Sequence, residues 1–488
     1  DEQSVVMMNR GAKKENFLPF ASPLSLDYPV LPRNASGEVD LHRPFVDGLA
    51  WPCKTCGSTM KRVPEVTDVW FDSGAMPFAQ AHFPFACVQL PASSFQLPAC
   101  WKKLSFPADY ISEAVDQTRG WFYTLLVVAT LLGKGAPYRN VISLGHVLDK
   151  HGQKMSKSKG NAVNPGEEIA KFGADTLRWY FYTINPPGEP KCFDEKDLQI
   201  RLRGFLGTFW NSFKLFSTYV KKAESPPSPT CASPKASARR GLRRTSGRRN
   251  VASKNVLDVW ILAKTHQLVE TVTEKLEAYD VTSAARLIEE FAVSNFSQWY
   301  LRRSRTRFQR PESKQEKEEA AVTTAFVLDV LCRVSAPFAP FIAEGVYRQL
   351  RKKTGAQEIS VHLTEWPKIP SQISHLKSQN ILKEMEEVRH IVAHALKLRS
   401  EGGIKVRQPL ANFQFPISNF QTKKELLDLI KEEINVKEIT FGKEVMLDTV
   451  ITPELREEGF VREFARNIQE MRRDAGLKPA QTAQCMVS

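Results

Sequence analysis

Residues 107–148 constrain the fold of this 488-residue chain more than any other stretch. Their first part, 107–111, has the composition of a short strand, and residues 115–133 carry apolar side chains at the spacing of a buried helix face. A second apolar run, rich in β-branched residues, extends from Val141 to Leu148. This order predicts a βαβ unit of the doubly wound α/β kind, whose ligands bind beyond the carboxyl ends of the strands.

Three polar residues, Glu113, Asp116 and Gln117, occupy the predicted turn from the first strand to the helix. At that position they could meet a purine, a ribose or an amino group. They could equally cap the helix and contact no ligand.

The second strand leads into a polar loop with three lysines, Lys154, Lys157 and Lys159, and the loop ends in a Gly160-Asn161 turn. Ammonium groups on flexible stems suit the phosphate oxygens of a polyanion that binds and then leaves. On charge alone, a solvated lysine loop is the simpler interpretation.

The order Lys154-Met155-Ser156-Lys157-Ser158 resembles the KMSKS loop of class I aminoacyl-tRNA synthetases. The resemblance implies that these five residues bind ATP, which the family uses with Mg2+. It also implies that Lys154 and Lys157 act in catalysis by stabilising the triphosphate as pyrophosphate departs.

Residues 68–74, Asp-Val-Trp-Phe-Asp-Ser-Gly, resemble a signature of the isoleucine-specific synthetases, whereas the valine enzymes typically carry Thr-Trp-Phe-Ser-Ser. The resemblance implies an amino-acid pocket formed by Trp70, Asp72 and, from the following helix, Trp121. The alternation of residues over 67–72 predicts a strand that ends in a Ser-Gly turn. The aromatic residues of this run could also belong to the core.

Residues 113–122 resemble the isoleucine-enzyme stretch Glu-Gly-x-Asp-Gln-x-Arg-Gly-Trp-Phe. This match implies that Glu113, Asp116 and Gln117 contact the aminoacyl-adenylate. One residue departs from the pattern, because Ala114 stands where glycine is usual. Its methyl group would crowd a close approach of the backbone to the ligand.

Cys53 and Cys56 have the spacing with which two thiolates hold one tetrahedral zinc ion. A structural zinc site needs four ligands, and the chain has no second Cys-x-x-Cys pair. The pair is therefore predicted to be half of a zinc site whose partner ligands are absent, with two incidental thiols as the alternative. Eight cysteines in a chain of this length indicate the reducing cytosol and no disulfide framework.

Residues 255–350 are predicted to form a helical bundle that resembles the family's anticodon-binding domain. Within it, arginines alternate with aromatic residues, a pattern that suits phosphate contacts and stacking on unpaired RNA bases. We therefore expect tRNA to contact Trp299, Arg302, Arg303 and Arg305. The alternative is a solvated helix face that packs through Trp299.

The net charge of +14 suggests a polyanionic partner. More than half of it comes from one Pro/Ser/Arg-rich segment, because eight basic residues and no acidic residue lie between Glu224 and Asp258. Residues 223–252 are predicted to be a disordered insertion that either contacts RNA non-specifically or acts as a spacer.

The whole pattern predicts an α/β fold joined to an all-α part. The expected order is the second half of a class I Rossmann-like catalytic domain, an α-helical anticodon-binding bundle and part of a small α/β C-terminal module. The predicted boundaries are 1–105 for a connective region with the cysteine pair and the entry to the catalytic domain, 106–190 for the catalytic half with the lysine loop, 191–222 for linking helices, 223–252 for the insertion, 253–370 for the anticodon-binding domain and 371–488 for the truncated C-terminal module.

The resemblance implies an isoleucine–tRNA ligase that activates L-isoleucine with ATP and transfers it to tRNA(Ile). We expect it to act as a monomer in the cytoplasm, without a membrane partner, since no run of about 18 apolar residues occurs. The chain lacks a His-x-Gly-His element, which in the family contacts ATP, and most of the editing domain. We therefore expect an internal fragment that forms no adenylate by itself.

Two alternative functions remain on the sequence alone. A valyl-tRNA synthetase would share the lysine loop and the bundle, but it would not share Asp72-Ser73-Gly74. A non-catalytic tRNA-binding module would bind tRNA with a steep salt dependence and would not respond to ATP. A generic nucleotide-binding protein is disfavoured, because the chain has neither a Gly-x-Gly-x-x-Gly nor a Walker phosphate loop.

Overall fold

The computed structural model describes residues 33–37, 39–40, 42–53, 55–65, 68–81, 83, 105–223, 253, 255–370, 373, 380–416, 420, 423–477 and 481–482. These residues form two compact units. The first extends to Val163 and includes Asn185–Asp194, and the second comprises Asn164–Ile184 and the chain from Glu195 onwards. The predicted insertion at 223–252, apart from Ala223, and most of residues 1–41 lie outside the described residues.

The first unit contains the predicted βαβ arrangement. Strand β3 (Ile111–Ala114) pairs in parallel with β4 (Val141–Leu144), and helix α2 (Trp121–Leu131) connects them. Leu125 and Val128 are buried on the face that the apolar spacing predicted. The predicted first strand at 107–111 is displaced, however. Only Ala108 makes an isolated bridge there, and the strand proper begins at Ile111.

The prediction of a strand at 67–72 is wrong. Residues Val69–Ala79 form helix α1, which begins after Asp68. The Asp68 carboxylate accepts hydrogen bonds from the backbone N–H groups of Trp70 (2.9 Å) and Phe71 (3.1 Å), and this N-cap decides the local structure. The apparent alternation covered too few residues to outweigh a cap followed by two buried positions four residues apart, Gly74 and Phe78.

Two short paired elements complete the first unit. Strands β1 (Ala50–Pro52) and β2 (Thr59–Lys61) form an antiparallel hairpin. Strand β5 (Val147–Leu148) continues from β4 and pairs in parallel with β6 (Lys191–Cys192). The 3-10 turns Val115–Arg119 and Lys157–Lys159 lie in the two loops that follow β3 and β5.

The second unit is built mainly of helices. It begins with α3 (Pro165–Phe172) and α4 (Ala174–Thr183). The chain breaks between them because Gly173 adopts φ 83°, which favours glycine. The following helices, in chain order, are α5 (Glu195–Arg201), a π-helical turn (Leu202–Leu206), α6 (Gly207–Tyr219), α7 (Val256–Glu277), α8 (Val281–Glu290), a π-helix (Phe291–Leu301), α9 (Arg305–Gln309), α10 (Lys314–Ser335) and α11 (Pro340–Thr354).

One large hydrophobic core holds these helices together. The rings of Trp179 and Phe205 stack at 3.9 Å between centroids, and both are fully buried. Phe213, Ile261 and Leu331 belong to the same core. Burial of such faces supplies most of the stability of amphipathic helices.

The last part of the second unit is a small α/β arrangement. Helix α12 (Ile381–Glu401) leads to a three-stranded sheet in the order β8–β7–β9, with β7 at Leu410–Phe415, β8 at Val436–Phe441 and β9 at Met446–Leu447. Helices α13 (Lys424–Ile434) and α14 (Pro453–Asp474) accompany it. The α/β and all-α fold class is therefore confirmed. None of the described helices combines the length and the apolarity that a membrane crossing requires.

Candidate active site

Helices α1 and α2 meet at residues that the sequence resemblance assigns to the amino-acid pocket. The indole N–H of Trp121 donates a hydrogen bond to the backbone oxygen of Ser73 at 3.1 Å. A Cβ atom at Gly74 would lie 2.6 Å from the backbone oxygen of Thr124, so only glycine permits this approach. The Ser-Gly pair of the signature therefore forms the surface on which α2 rests.

Trp70 and Gln117 converge on the start of helix α2. A Cβ atom added to Gly120 would meet the Trp70 ring at 3.3 Å and would overlap the side-chain oxygen of Gln117. That oxygen accepts a hydrogen bond from the backbone N–H of Trp121 at 2.9 Å. Gln117 therefore caps the helix, which was one of the two interpretations left open by the sequence. Trp70, Gln117 and Trp121 are thus brought together.

The acidic candidates lie at the rim of this region. Glu113 is exposed and stands in β3 opposite Ser143 of β4, and Asp116 is exposed in the 3-10 turn that follows. Asp72 is half-buried in the first turn of α1, where the helix dipole favours a negative charge. Ala114, the residue that departs from the family pattern, ends β3 beside Leu144.

The lysine loop is closed by a clasp between Asp149 and Asn161, which the sequence interpretation had not assigned to the site. The Asn161 amide donates to Asp149 Oδ2 at 2.9 Å, and its oxygen accepts from the backbone N–H of Ser156 at 2.9 Å. Asp149 Oδ1 also accepts from the backbone N–H groups of His151 and Gln153. The Asn161 hydrogen bond, followed by these backbone bonds, lowers the pKa of the Asp149 carboxyl.

The clasp shapes the loop between its two ends. Lys154 is exposed and its backbone bridges Leu148, while Ser156 Oγ and Ser158 Oγ share a hydrogen bond at 3.1 Å. The side chain of Lys157 lies outside the described part of the chain. The signal for the clasp was present in the sequence, because a Gly160-Asn161 turn was expected, but its partner Asp149 could be identified only in the folded chain.

A buried lysine, Lys191, closes a turn that packs against the end of β4, the strand that precedes this loop. Lys191 Nζ donates to the backbone oxygens of Pro186 (2.9 Å) and Glu189 (3.4 Å), and burial lowers the pKa of its ammonium group. The turn that it closes accepts a hydrogen bond from the backbone N–H of Gly145, through Pro187 O at 2.9 Å. A Cβ atom at Gly145 would overlap the Glu189 oxygen. The end of β4 is therefore packed closely against residues 186–190.

Cys53 and Cys56 occupy the turn of the β1–β2 hairpin. Cys53 is buried, Cys56 is exposed, and the backbone N–H of Gly57 donates to Cys53 O at 2.8 Å. The Ser58 hydroxyl, followed by the Ser58 backbone, lowers the pKa of the Cys56 thiol, which favours the thiolate that metals bind. Within the described ranges no group of three or more potential ligands is present, so these two thiols fit only half of a zinc site.

The four residues predicted to contact tRNA belong to the second unit and divide into two pairs. Trp299 is buried, and Arg303 forms ion pairs with Glu432 and Glu433 of α13 while it lies 5.8 Å from the Trp299 ring. Arg302, although paired with Glu433, is exposed, as is Arg305. The geometry gives Trp299 and Arg303 a packing role in this structure and leaves Arg302 and Arg305 accessible to a partner.

Two models of known protein families match different parts of this chain. Residues 32–190 match the model described as tRNA synthetases class I (I, L, M and V), and residues 258–414 match that of the anticodon-binding domain of tRNA ligase. The isoleucine–tRNA ligase of Clostridium tetani is 37% identical over 441 residues, which cover 90% of this chain and 39% of the relative.

Two further curated relatives give the same result. The isoleucine–tRNA ligases of Dehalococcoides mccartyi strain 195 and Thermus thermophilus are 38% and 36% identical, over 91% and 89% of this chain and 43% and 39% of the relative. The chain therefore spans about two fifths of the length of the curated relatives that it matches.

Proposed function

Because this chain belongs to the class I tRNA synthetases, we propose that it takes part in isoleucine–tRNA ligation, that is, the ATP-dependent activation of L-isoleucine and its transfer to tRNA(Ile). The observation that carries the proposal is the contact between the two isoleucine-type motifs, in which Trp121 donates to Ser73 O. The similarity to isoleucine–tRNA ligases over 89–91% of the chain supports the same specificity.

The pocket at α1 and α2 is proposed to hold the isoleucine side chain. The indoles of Trp70 and Trp121 would form two of its walls, and apolar aromatic surface suits a branched aliphatic group. Asp72, in the first turn of α1, would stand near the amino group, where a carboxylate favours an ammonium.

ATP and the adenylate are proposed to bind at the carboxyl ends of β3 and β4, with the lysine loop over the phosphates. The residues assigned to this role are Glu113, Asp116, Gln117, Lys154, Met155, Ser156, Lys157 and Ser158. The nucleotide would bind as its Mg2+ complex, and the metal would supply further neutralisation of the phosphates. The side-chain oxygen of Gln117 already accepts the backbone N–H of Trp121, so Gln117 would contact the ligand through its amide nitrogen.

The proposed reaction requires that the substrates are positioned and that the developing charge is stabilised. The isoleucine carboxylate attacks the α-phosphorus of ATP and pyrophosphate leaves, and a terminal ribose hydroxyl of the tRNA then attacks the carbonyl carbon of the adenylate and releases AMP. Lys154 and Lys157 would neutralise the charge that builds up on the β- and γ-phosphates. The Asp149–Asn161 clasp would hold the loop in one shape, which limits the reorganisation required when the charge develops.

The test is isoleucine-dependent exchange of pyrophosphate into ATP by the full-length protein. We expect Lys157→Ala to lower kcat by at least about tenfold while the KM for isoleucine changes little, since the lysine acts on the phosphates. Lys159→Ala is the matched control, because it removes the same charge from the same turn outside the motif. An unchanged turnover in Lys157→Ala would reject the assigned role.

The proposal also predicts that adenylate formation requires parts of the protein outside residues 1–488. Residues 1–488 contain no His-x-Gly-His element, so we expect the chain by itself to bind isoleucine weakly and to form no adenylate. Measurable exchange by the purified 488-residue chain would contradict this expectation. The same proposal includes a cytoplasmic location. It also includes a zinc ion that is bound by Cys53, Cys56 and further ligands.

A further inference from the structure

Helix α1 contains a proline in its interior, Pro77, at a position where a proline is costly. A proline inside a helix lacks the N–H that bonds to the carbonyl four residues earlier, and it destabilises a helix by about 3 kcal/mol. The carbonyl deprived of its usual donor by Pro77 is that of Ser73. The helix continues to Ala79 all the same, and the backbone N–H of Gln80 bonds to Met76 O at 3.0 Å.

The carbonyl of Ser73 is the one that accepts the indole N–H of Trp121. Ser73 is half-buried, and its carbonyl receives a donor at the α1–α2 contact from a residue 48 positions along the chain. The Ser73 hydroxyl does not compete, because it donates to Val69 O at 3.0 Å within its own helix. Gly74 allows α2 to come close enough for the bond.

With this bond, Trp121 is held both at its backbone and at its indole ring. Its backbone N–H is held by Gln117 at 2.9 Å and its indole N–H by Ser73 at 3.1 Å. The indole has only two side-chain torsions, so a hydrogen bond at the far end of the ring determines its plane. The plane of the ring in turn determines the shape of the pocket wall that the ring would form.

We propose that Pro77 is a positioning residue for amino-acid selection, because it leaves the Ser73 carbonyl free to orient the Trp121 indole. The inference rests on the proposed function, in which Trp121 forms a wall of the isoleucine pocket. Pro77 acts through Ser73 and Trp121 and touches no substrate. Its effect is therefore expected on the KM for the amino acid and on the choice between isoleucine and valine, and not on ATP.

The experiment compares Pro77→Ala with the wild type in the full-length protein. Alanine restores an N–H that competes for Ser73 O and also favours the helix, so the variant is expected to fold with an equal or higher Tm. We expect the KM for isoleucine to rise about three- to tenfold, as the loss of one neutral hydrogen bond predicts. The KM for ATP should stay constant, and the preference for isoleucine over valine should narrow.

Two further variants make the result specific. Trp121→Phe keeps an aromatic ring and removes the donor, so Pro77→Ala should have no additional effect in that background. Met76→Ala, at the exposed neighbouring position, is the matched control and should leave both KM values unchanged. In an active enzyme, an unchanged KM for isoleucine and an unchanged preference in Pro77→Ala would overturn the inference alone. A wild-type protein without isoleucine-dependent exchange would instead reject the proposed function, and the inference with it.

Discussion

Single residues set the geometry of the candidate site through backbone groups more than through side-chain charge. Gly74 and Gly145 permit close approaches that a Cβ atom would block, and Lys191 closes a turn by bonding two carbonyl oxygens. Asn161 ties together the two ends of the lysine loop and one of its central N–H groups. Such contacts are small individually, but together they limit the positions that the loop can adopt.

Replacement of Asn161 tests the clasp directly. We expect Asn161→Ala to accelerate hydrogen exchange at the backbone N–H groups of residues 154–158, because Ser156 N–H loses its acceptor and Asp149 loses a donor. Exchange of this segment would be followed by mass spectrometry on the 488-residue chain.

Asn161→Asp is a second variant for the same measurement. Aspartate keeps an oxygen for Ser156 N–H but places a second carboxylate against Asp149, so it should release the loop nearly as much as alanine does. Exchange rates equal to those of the wild type in both variants would contradict the role of the clasp.

At the scale of elements, helices α7 and α9 are joined by a buried ion pair. Both nitrogens of the Arg307 fork donate to the Asp258 carboxylate at 2.8 Å, and the Tyr300 hydroxyl donates to the same group at 2.7 Å. Asp258 is fully buried and Arg307 is nearly so. A pair of this kind fixes which helix faces meet, since separation of the charges in the core would be costly.

The ion pair makes a prediction about the stability of the helical unit. We expect Arg307→Met to lower the free energy of unfolding by about 3–5 kcal/mol, because it leaves the Asp258 carboxylate buried without its partner. Urea denaturation followed by circular dichroism measures the change.

Two companion variants separate this cause from others. Arg305→Met, on the exposed side of the same helix, should change the free energy by no more than about 0.5 kcal/mol. The double variant Asp258→Asn with Arg307→Met should regain part of the loss, because the buried charge is gone. A loss in Arg305→Met as large as that in Arg307→Met would contradict the argument.

At the scale of the whole molecule, the net charge of +14 is unevenly distributed along the chain. Seven of the basic residues lie in residues 225–252, which contain no acid (Lys235, Arg239, Arg240, Arg243, Arg244, Arg248 and Arg249). Each cation that contacts a phosphate releases a counterion, so a contribution of this segment to the proposed tRNA binding would be visible in the salt dependence.

Deletion of residues 225–252 is expected to make tRNA binding less dependent on salt. The slope of log Kobs against log salt concentration should decrease by about 0.7–0.9 for each phosphate contact that is lost. A variant with the seven basic residues changed to serine keeps the length, and it should show the same decrease. A slope that neither variant changes would identify the segment as a spacer.

Local patterns in the sequence were sufficient for the parallel strand pair, the lysine loop and the helical second unit. The individual strands, helices and loop in them were each predicted from a period, a composition or a motif in a short run of consecutive residues. The family was predictable for the same reason, from motifs that resemble those of the isoleucine enzymes. The helix at Val69–Ala79 was missed because a short alternation was given more weight than the cap at Asp68.

Only the tertiary structure decided which groups meet. The bond from Trp121 to Ser73 spans 48 residues, and the pairing of Arg303 with Glu432 and Glu433 spans about 130. The second of these gives Arg303, one of the predicted RNA contacts, a place in the packing. A linear pattern reports what a residue prefers locally, whereas the partner of a carbonyl or a charge exists only once distant elements have packed against each other.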